Sequence, residues 1–113
     1  MKRGDVYQTV LNPTSGSEQA GTRPSIIVSR DAINASSPVV IVVPVTDRTN
    51  KKRLYPSHVE LKMGEGGLTC DSVALCEQVR SISVTRLQNV MGHISNQKMS
   101  QVNASLKIAL DLP

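Results

Sequence analysis

The chain has no tryptophan and no phenylalanine, and only two tyrosines, Tyr7 and Tyr55. A protein that grips a single strand by stacking bases on a row of rings needs more aromatic residues. Any RNA recognition must therefore lean on phosphates, hydrogen bonds and pockets, with one or two stacked bases at most. Cysteine is equally scarce, with only Cys70 and Cys76 present. On one extended strand they would lie about 20 Å apart, at roughly 3.3 Å per residue. A disulfide tolerates about 7 Å between Cα atoms, so a bridge would need a turn between them. Free thiols in a reducing cytoplasm are the expectation. The cysteines and the two distant histidines, His58 and His93, lack zinc-site spacing, and no acidic cluster suits Mg²⁺. Neither a metal nor a cofactor is expected. No apolar run approaches the length of a membrane span. The N-terminus has two basic residues without an apolar stretch behind them, so no signal peptide is expected.

What is present is small and basic. A chain of 113 residues reads as one domain, residues 1–113, with a modest core. The net charge of +4 points toward an anionic partner. The charge is not evenly spread. Arg48, Lys51, Lys52 and Arg53 form a basic loop, either simply solvated or able to track phosphates.

Most of the chain reads as strands. Alternation around Gly4 and Pro13 predicts one strand, and Ser25 to Ser29 a second. Val39 to Val45 is almost wholly apolar and predicts a strand buried on both faces. Pro44 lacks an N–H and belongs at a strand end, edge or bulge. Tyr55 to Leu61 predicts a fourth strand, Gly64 to Gly67 a turn, and Ser72 to Ile82 one long strand. Ser83 is placed to cap a short helix through Leu87. Ser95 is placed to cap a longer one, with Met99, Val102, Leu106, Ala109 and Leu110 on its apolar face. The result is a mainly β (α+β) protein, a small curled antiparallel sheet or barrel crossed by a C-terminal helix.

Three polar segments interrupt this apolar pattern. In Gly16-Ser-Glu-Gln-Ala-Gly-Thr-Arg-Pro24, a small-residue loop delivers Arg23 to the start of a strand, because Pro24 biases the residue before it toward extended backbone. A guanidinium so placed suits a phosphate or carboxylate. It could equally pair with Glu18. Val45-Thr-Asp-Arg48 ends the most apolar strand. Cys76-Glu-Gln-Val-Arg80 lies within another. Polar groups there need partners, either a ligand or internal pairs such as Glu77 with Arg80 and Asp47 with Arg48.

With Arg3-Gly-Asp-Val6 and Asn12-Pro13, these segments resemble the MazF/PemK (Kid) family of bacterial toxin–antitoxin toxins. The resemblance runs from Lys2 through Gly92. It implies a CcdB/PemK-like fold, a small SH3-like barrel assembled as a homodimer. It also implies a ribosome-independent, sequence-specific endoribonuclease that cuts single-stranded RNA and is silenced by a cognate acidic antitoxin. The family's catalytic arginine falls on Arg23, its threonine on Thr46, and the acidic helper of some members on Glu18. The RNA-facing pair falls on Glu77 and Gln78. The 47–53 loop belongs to a variable region, so its basic residues enter on charge alone.

The residue types fit such chemistry. The 2′-OH of RNA can attack the adjacent phosphate and expel the 5′-oxygen, provided protons move and the added negative charge is stabilised. Arg23 can supply the charge and Thr46 a hydroxyl for the phosphate or the 2′-OH. Arginine is a poor base at neutral pH. Glu18 and His58 are the competing candidates for proton transfer. Relatives with this barrel inhibit DNA gyrase by contact alone, so a non-catalytic toxin is the alternative, and a silent nucleic-acid-binding barrel a third.

Overall fold

The computed structural model describes residues 1–113. Seven strands form one antiparallel sheet: β1 (Asp5–Val10), β2 (Thr22–Ile27), β3 (Val39–Asp47), β4 (His58–Leu61), β5 (Ser72–Leu75), β6 (Arg80–Ser83) and β7 (Leu87–His93). Helix α1 (Asp31–Ser36) precedes β3, and α2 (Asn96–Leu110) closes the chain. The strand order is β4-β5-β3-β2-β1-β7, with β6 also on β3. The expected mainly β architecture with a C-terminal helix is therefore present.

Strand β3 organises the sheet. It pairs with β6 over Val39–Val42, with β2 over Val42–Pro44 and with β5 over Val45–Asp47. It is not buried on both faces throughout, because Val39 and Ile41 point outward while Val40 and Val42 are buried. Pro44 sits where β3 leaves β2 and takes up β5, a fitting place for a residue with no N–H to give.

The long strand expected over Ser72–Ile82 is broken. Residues Cys76–Gln78 form a 3-10 turn between β5 and β6, and the register against β3 shifts by three residues across it. The turn lifts Glu77 and Gln78 out of the ladder while keeping Cys76 buried. That resolves the anomaly of polar residues inside an apolar strand.

Eleven buried residues make the main core, among them Val6, Ile26, Val43, Val45, Leu61 and Ile94. Each such aliphatic side chain contributes about 1.5–3 kcal/mol when fully buried. Helix α2 covers this core at β4 and the 76–78 turn. Ser95 caps it by accepting the Lys98 N–H at 3.2 Å. Val102 is buried and Met99 and Leu106 pack against the core as expected, whereas Leu110 is exposed and Ser105 is buried. The Ser105 hydroxyl donates to the Pro56 carbonyl at 2.9 Å, tying the helix to the chain before β4. Ser83 caps a short 3-10 turn, Val84–Arg86, as its position predicted. Arg3 explains its own motif. Its Nε donates to the Val28 carbonyl and its Nη2 to Asn103 of α2, at 2.8 and 2.6 Å.

Candidate active site

The loop joining β1 to β2 carries Glu18 and leads into Arg23, and it is fastened at several points. Asn12 Oδ1 accepts the Gly21 N–H at 3.2 Å. Gln78 spans the loop, accepting the Gln19 N–H at 2.7 Å and donating to the Ser17 carbonyl at 3.4 Å. Arg80 donates to the Leu11 carbonyl and Arg86 to the Val10 and Asn12 carbonyls. Gln78, Arg80 and Arg86 thus fix where the chain enters β2 and so where Arg23 sits.

Strands β2 and β3 pair as far as Ser25 opposite Pro44. Two residues further along the same antiparallel register, Arg23 comes opposite Thr46. There β3 is already pairing with β5, and a cleft of about 190 Å³ opens. Arg23 and Thr46 line it with Gln8, Asp47, Thr69 and Cys70. Arg23 Nε donates to the Ala20 carbonyl at 3.2 Å, so backbone rather than Glu18 holds the stem of the guanidinium. Thr46 is only 3% exposed, and its Oγ1 accepts the Asn50 side-chain amide at 3.0 Å. With that acceptor site filled, the hydroxyl proton is directed to donate.

Asp47 was expected from the sequence only as an internal partner for arginine, yet it is the carboxylate lining this cleft. Its Oδ1 accepts the Thr49 N–H at 2.9 Å and the Thr49 hydroxyl at 2.8 Å, capping the 3-10 turn Arg48–Asn50 that delivers Asn50 to Thr46. The Thr49 N–H, then the Thr49 hydroxyl, the Cys70 thiol and the nearby Arg23 charge hold the carboxyl below the ordinary aspartate range. It is therefore ionised at neutral pH and weakly basic. Its signal in the sequence was the N-cap position before Arg48-Thr-Asn50, which reads as turn chemistry rather than as a site.

The remaining residues divide among neighbouring surfaces. Glu18, Glu77 and Gln78 line a second hollow of about 300 Å³ with Pro44 and Arg80. Glu18 Oε1 accepts the Ser15 N–H at 3.2 Å, so one oxygen is engaged locally, and the residue does not line the Arg23–Thr46 cleft. His58 lies outside that cleft too. Its Nδ1 accepts the Tyr55 N–H at 3.1 Å, and its Nε2 meets Glu77 Oε2 at 2.9 Å. Arg48 is occupied by Glu60 at 3.0 Å and by the Lys51 carbonyl. Lys51, Lys52 and Arg53 make no ion pair, so they are the free cations of the basic loop. Neither internal pair anticipated from the sequence forms, as Glu77 bonds His58 and Arg80 bonds backbone. Burial, with Glu77's charge second, pushes the Cys76 thiol up to about 12, which makes it inert.

A curled antiparallel sheet that parts to open a cleft lined by a guanidinium and an oriented hydroxyl defines a small β protein with a polar cleft. The sequence profile of the PemK-like, MazF-like toxins of type II toxin–antitoxin systems matches residues 2–110. A curated endoribonuclease MazF of Staphylococcus saprophyticus is 44% identical over 112 residues, covering 99% of this chain and 92% of the relative. A solved mycobacterial endoribonuclease in complex with its cognate antitoxin superposes with a TM-score of 0.83 at 25% identity, covering 100% of this chain and 97% of that one. MazF of Deinococcus radiodurans has the same fold, with a TM-score of 0.84 at 24% identity over 99% and 97% of the two chains. The chain belongs to the PemK-like, MazF-like toxin family.

Proposed function

We propose that this chain is an RNA-cleaving toxin, a metal-independent endoribonuclease of the cytoplasm that a cognate acidic antitoxin inhibits. The observation that carries the reading is the convergence of Arg23 and Thr46 in one cleft, with Asn50 orienting the threonine hydroxyl. The 44% identity to an endoribonuclease supports it.

In this reading the 2′-OH of a single-stranded RNA gives up its proton and attacks the adjacent phosphate in line, the P–O5′ bond breaks, and the departing 5′-oxygen takes up a proton, leaving a 2′,3′-cyclic phosphate. The Arg23 fork neutralises the charge that builds on the phosphate oxygens. Thr46 donates to a phosphate oxygen and holds it in register. Glu18, the candidate helper carboxylate, lies in the neighbouring hollow rather than in the Arg23–Thr46 cleft, so its part is to meet the RNA beside the site through its second oxygen. Glu77 and Gln78 face the RNA beside the scissile phosphate, and Arg48, Lys51, Lys52 and Arg53 track its backbone. Asp47 shares the cleft with Arg23 and carries the opposite charge. The working unit is a homodimer. Exposed Val39, Ile41 and Val90 on β3 and β7, away from the surface covered by α2, favour a second copy.

The test is a gel of labelled single-stranded RNA incubated with pure protein in EDTA. Cleavage is expected, and a single 2′-deoxy substitution at the cut site should abolish it. Arg23→Ala should fold normally and lose roughly 100- to 1000-fold in rate, the cost of removing one preorganised transition-state donor. A folded Arg23→Ala protein that cuts at the wild-type rate would overturn the assignment. A protein that cuts no RNA yet inhibits gyrase would establish the contact toxin instead.

A further inference from the structure

Tyr55 is out of place as a structural residue. It is one of two tyrosines in a chain without Phe or Trp, it is 55% exposed, and it follows the exposed Leu54 in the segment before β4. An exposed ring contributes little to folding, so its position calls for another account. It is also not loose. Its N–H donates to His58 Nδ1 at 3.1 Å, and the His58 ring meets it edge-on, with centroids 5.5 Å apart and planes at 75°. The Arg53 guanidinium lies over the ring, 5.7 Å from its centroid.

The same imidazole holds Glu77. The His58 side chain is 3% exposed, and its Nε2 lies 2.9 Å from Glu77 Oε2. Because Nδ1 is occupied as an acceptor, the ring's proton sits on Nε2 and is donated to the carboxylate. One buried side chain thus fixes an exposed aromatic ring and an exposed carboxylate relative to each other. Glu77 keeps its second oxygen, Oε1, unengaged, on the rim of the hollow that it shares with Glu18 and Gln78.

We infer that Tyr55, Glu77 and Arg53 form a nucleobase subsite of the RNA groove, with His58 as the residue that positions it. This deepens the reading of the chain as an RNA-cleaving toxin and rests on it. A base stacks on the Tyr55 ring, and Arg53 meets the phosphate of the same nucleotide. The free Glu77 oxygen accepts a proton from the base's exocyclic amino group. A carboxylate offers only acceptors, and His58 blocks one of its two oxygens. The subsite therefore favours adenine, cytosine or guanine, which present an exocyclic amino group, over uracil, whose single N3–H is flanked by two carbonyl oxygens that the carboxylate repels. Tyr55 and Glu77 thus select one nucleotide of the target and take no part in the bond-breaking at Arg23 and Thr46.

The experiment is an abasic scan of a fluorescein-labelled single-stranded RNA, read by binding anisotropy and by steady-state cleavage. The binding arm needs no cleavage, so failure of this subsite and failure of the proposed activity are separable. In wild type, one position should lose about five-fold or more in affinity when its base is removed. Tyr55→Ala should show no loss at that position and keep the losses elsewhere, and its defect with intact RNA should fall on KM rather than kcat. Tyr55→Phe retains the ring and should restore the wild-type pattern. At the same position, uracil should bind several-fold more weakly than an amino-bearing base, and Glu77→Gln and His58→Gln should each reduce that preference. An RNA whose abasic profile is the same with wild type and Tyr55→Ala overturns the inference. If the coupling appears in binding while no RNA is cut, the subsite stands and the nuclease reading falls.

Discussion

At the scale of single residues, the cleft is built from groups that hold each other rather than from isolated catalytic side chains. Asp47 caps a turn, the turn presents Asn50, and Asn50 orients Thr46. Asn50→Ala should therefore slow RNA cleavage roughly two- to ten-fold, the worth of one ordinary hydrogen bond of about 0.5–1.5 kcal/mol. Its melting temperature should stay close to wild type, because Asn50 is exposed. A single-turnover rate equal to wild type would show that Thr46 needs no such orientation. Asp47 also carries a pH signature. Its folded carboxyl is held low, first by the Thr49 N–H. The unfolded chain then binds the proton more readily, so this contribution is complete above the unfolded value of about 3.9 and is lost as pH falls through the folded value. Asp47→Asn keeps a capping oxygen but no titrating charge. Its stability in urea should vary less steeply than wild type below about pH 4, with the two curves parallel at neutral pH.

At the scale of elements, legibility followed the regularity of the ladder. Strands β1, β3 and β4 and helix α2 were visible because apolar periodicity survives wherever one face packs on the core. Strand β7 was not, because its pairing with β1 slips twice, between Val6 and Tyr7 and between Tyr7 and Thr9, which blurs the alternation. The break at Cys76–Gln78 was hidden for a different reason. A 3-10 turn of three residues leaves apolar stretches on both sides, and only the polar pair Glu77-Gln78 marks it. Arg23 and Thr46 stood out through their motifs, and both line one cleft. The roles of Asn50 and Asp47 did not stand out, because they depend on where a turn folds back. The Cys76–Gln78 turn fastens the loop before β2. Gln78→Ala removes both side-chain bonds to Ser17 and Gln19. Hydrogen exchange of the Gln19 amide should then accelerate about ten-fold or more, while the amides of β3 exchange as in wild type. Unchanged protection at Gln19 would mean that Asn12, Arg80 and Arg86 hold the loop without it.

At the scale of the whole molecule, charge connects substrate and inhibitor. Three cations of the 48–53 loop have no internal ion-pair partner, and they lie on the chain between Thr46 in the cleft and the Tyr55 ring. A surface of this kind attracts a polyanion of either type, an RNA backbone or a carboxylate-rich peptide that orders as it binds. An acidic antitoxin segment would therefore silence the enzyme by occupying the path that the RNA follows, without any change in the cleft itself. Reversing Lys51, Lys52 and Arg53 to glutamate should weaken RNA and antitoxin together, and should flatten the salt dependence of both. Arg48 is a useful contrast, because Glu60 already neutralises it, so Arg48→Gln should alter the salt dependence less than any of the three. These residues are exposed or half-exposed and outside the core, so the melting temperature of the reversed protein should remain near wild type. The decisive measurement is a pair of titrations at low and high salt. An antitoxin that binds wild type and the charge-reversed protein equally well, while RNA affinity falls, would separate the two surfaces and refute inhibition by a shared path.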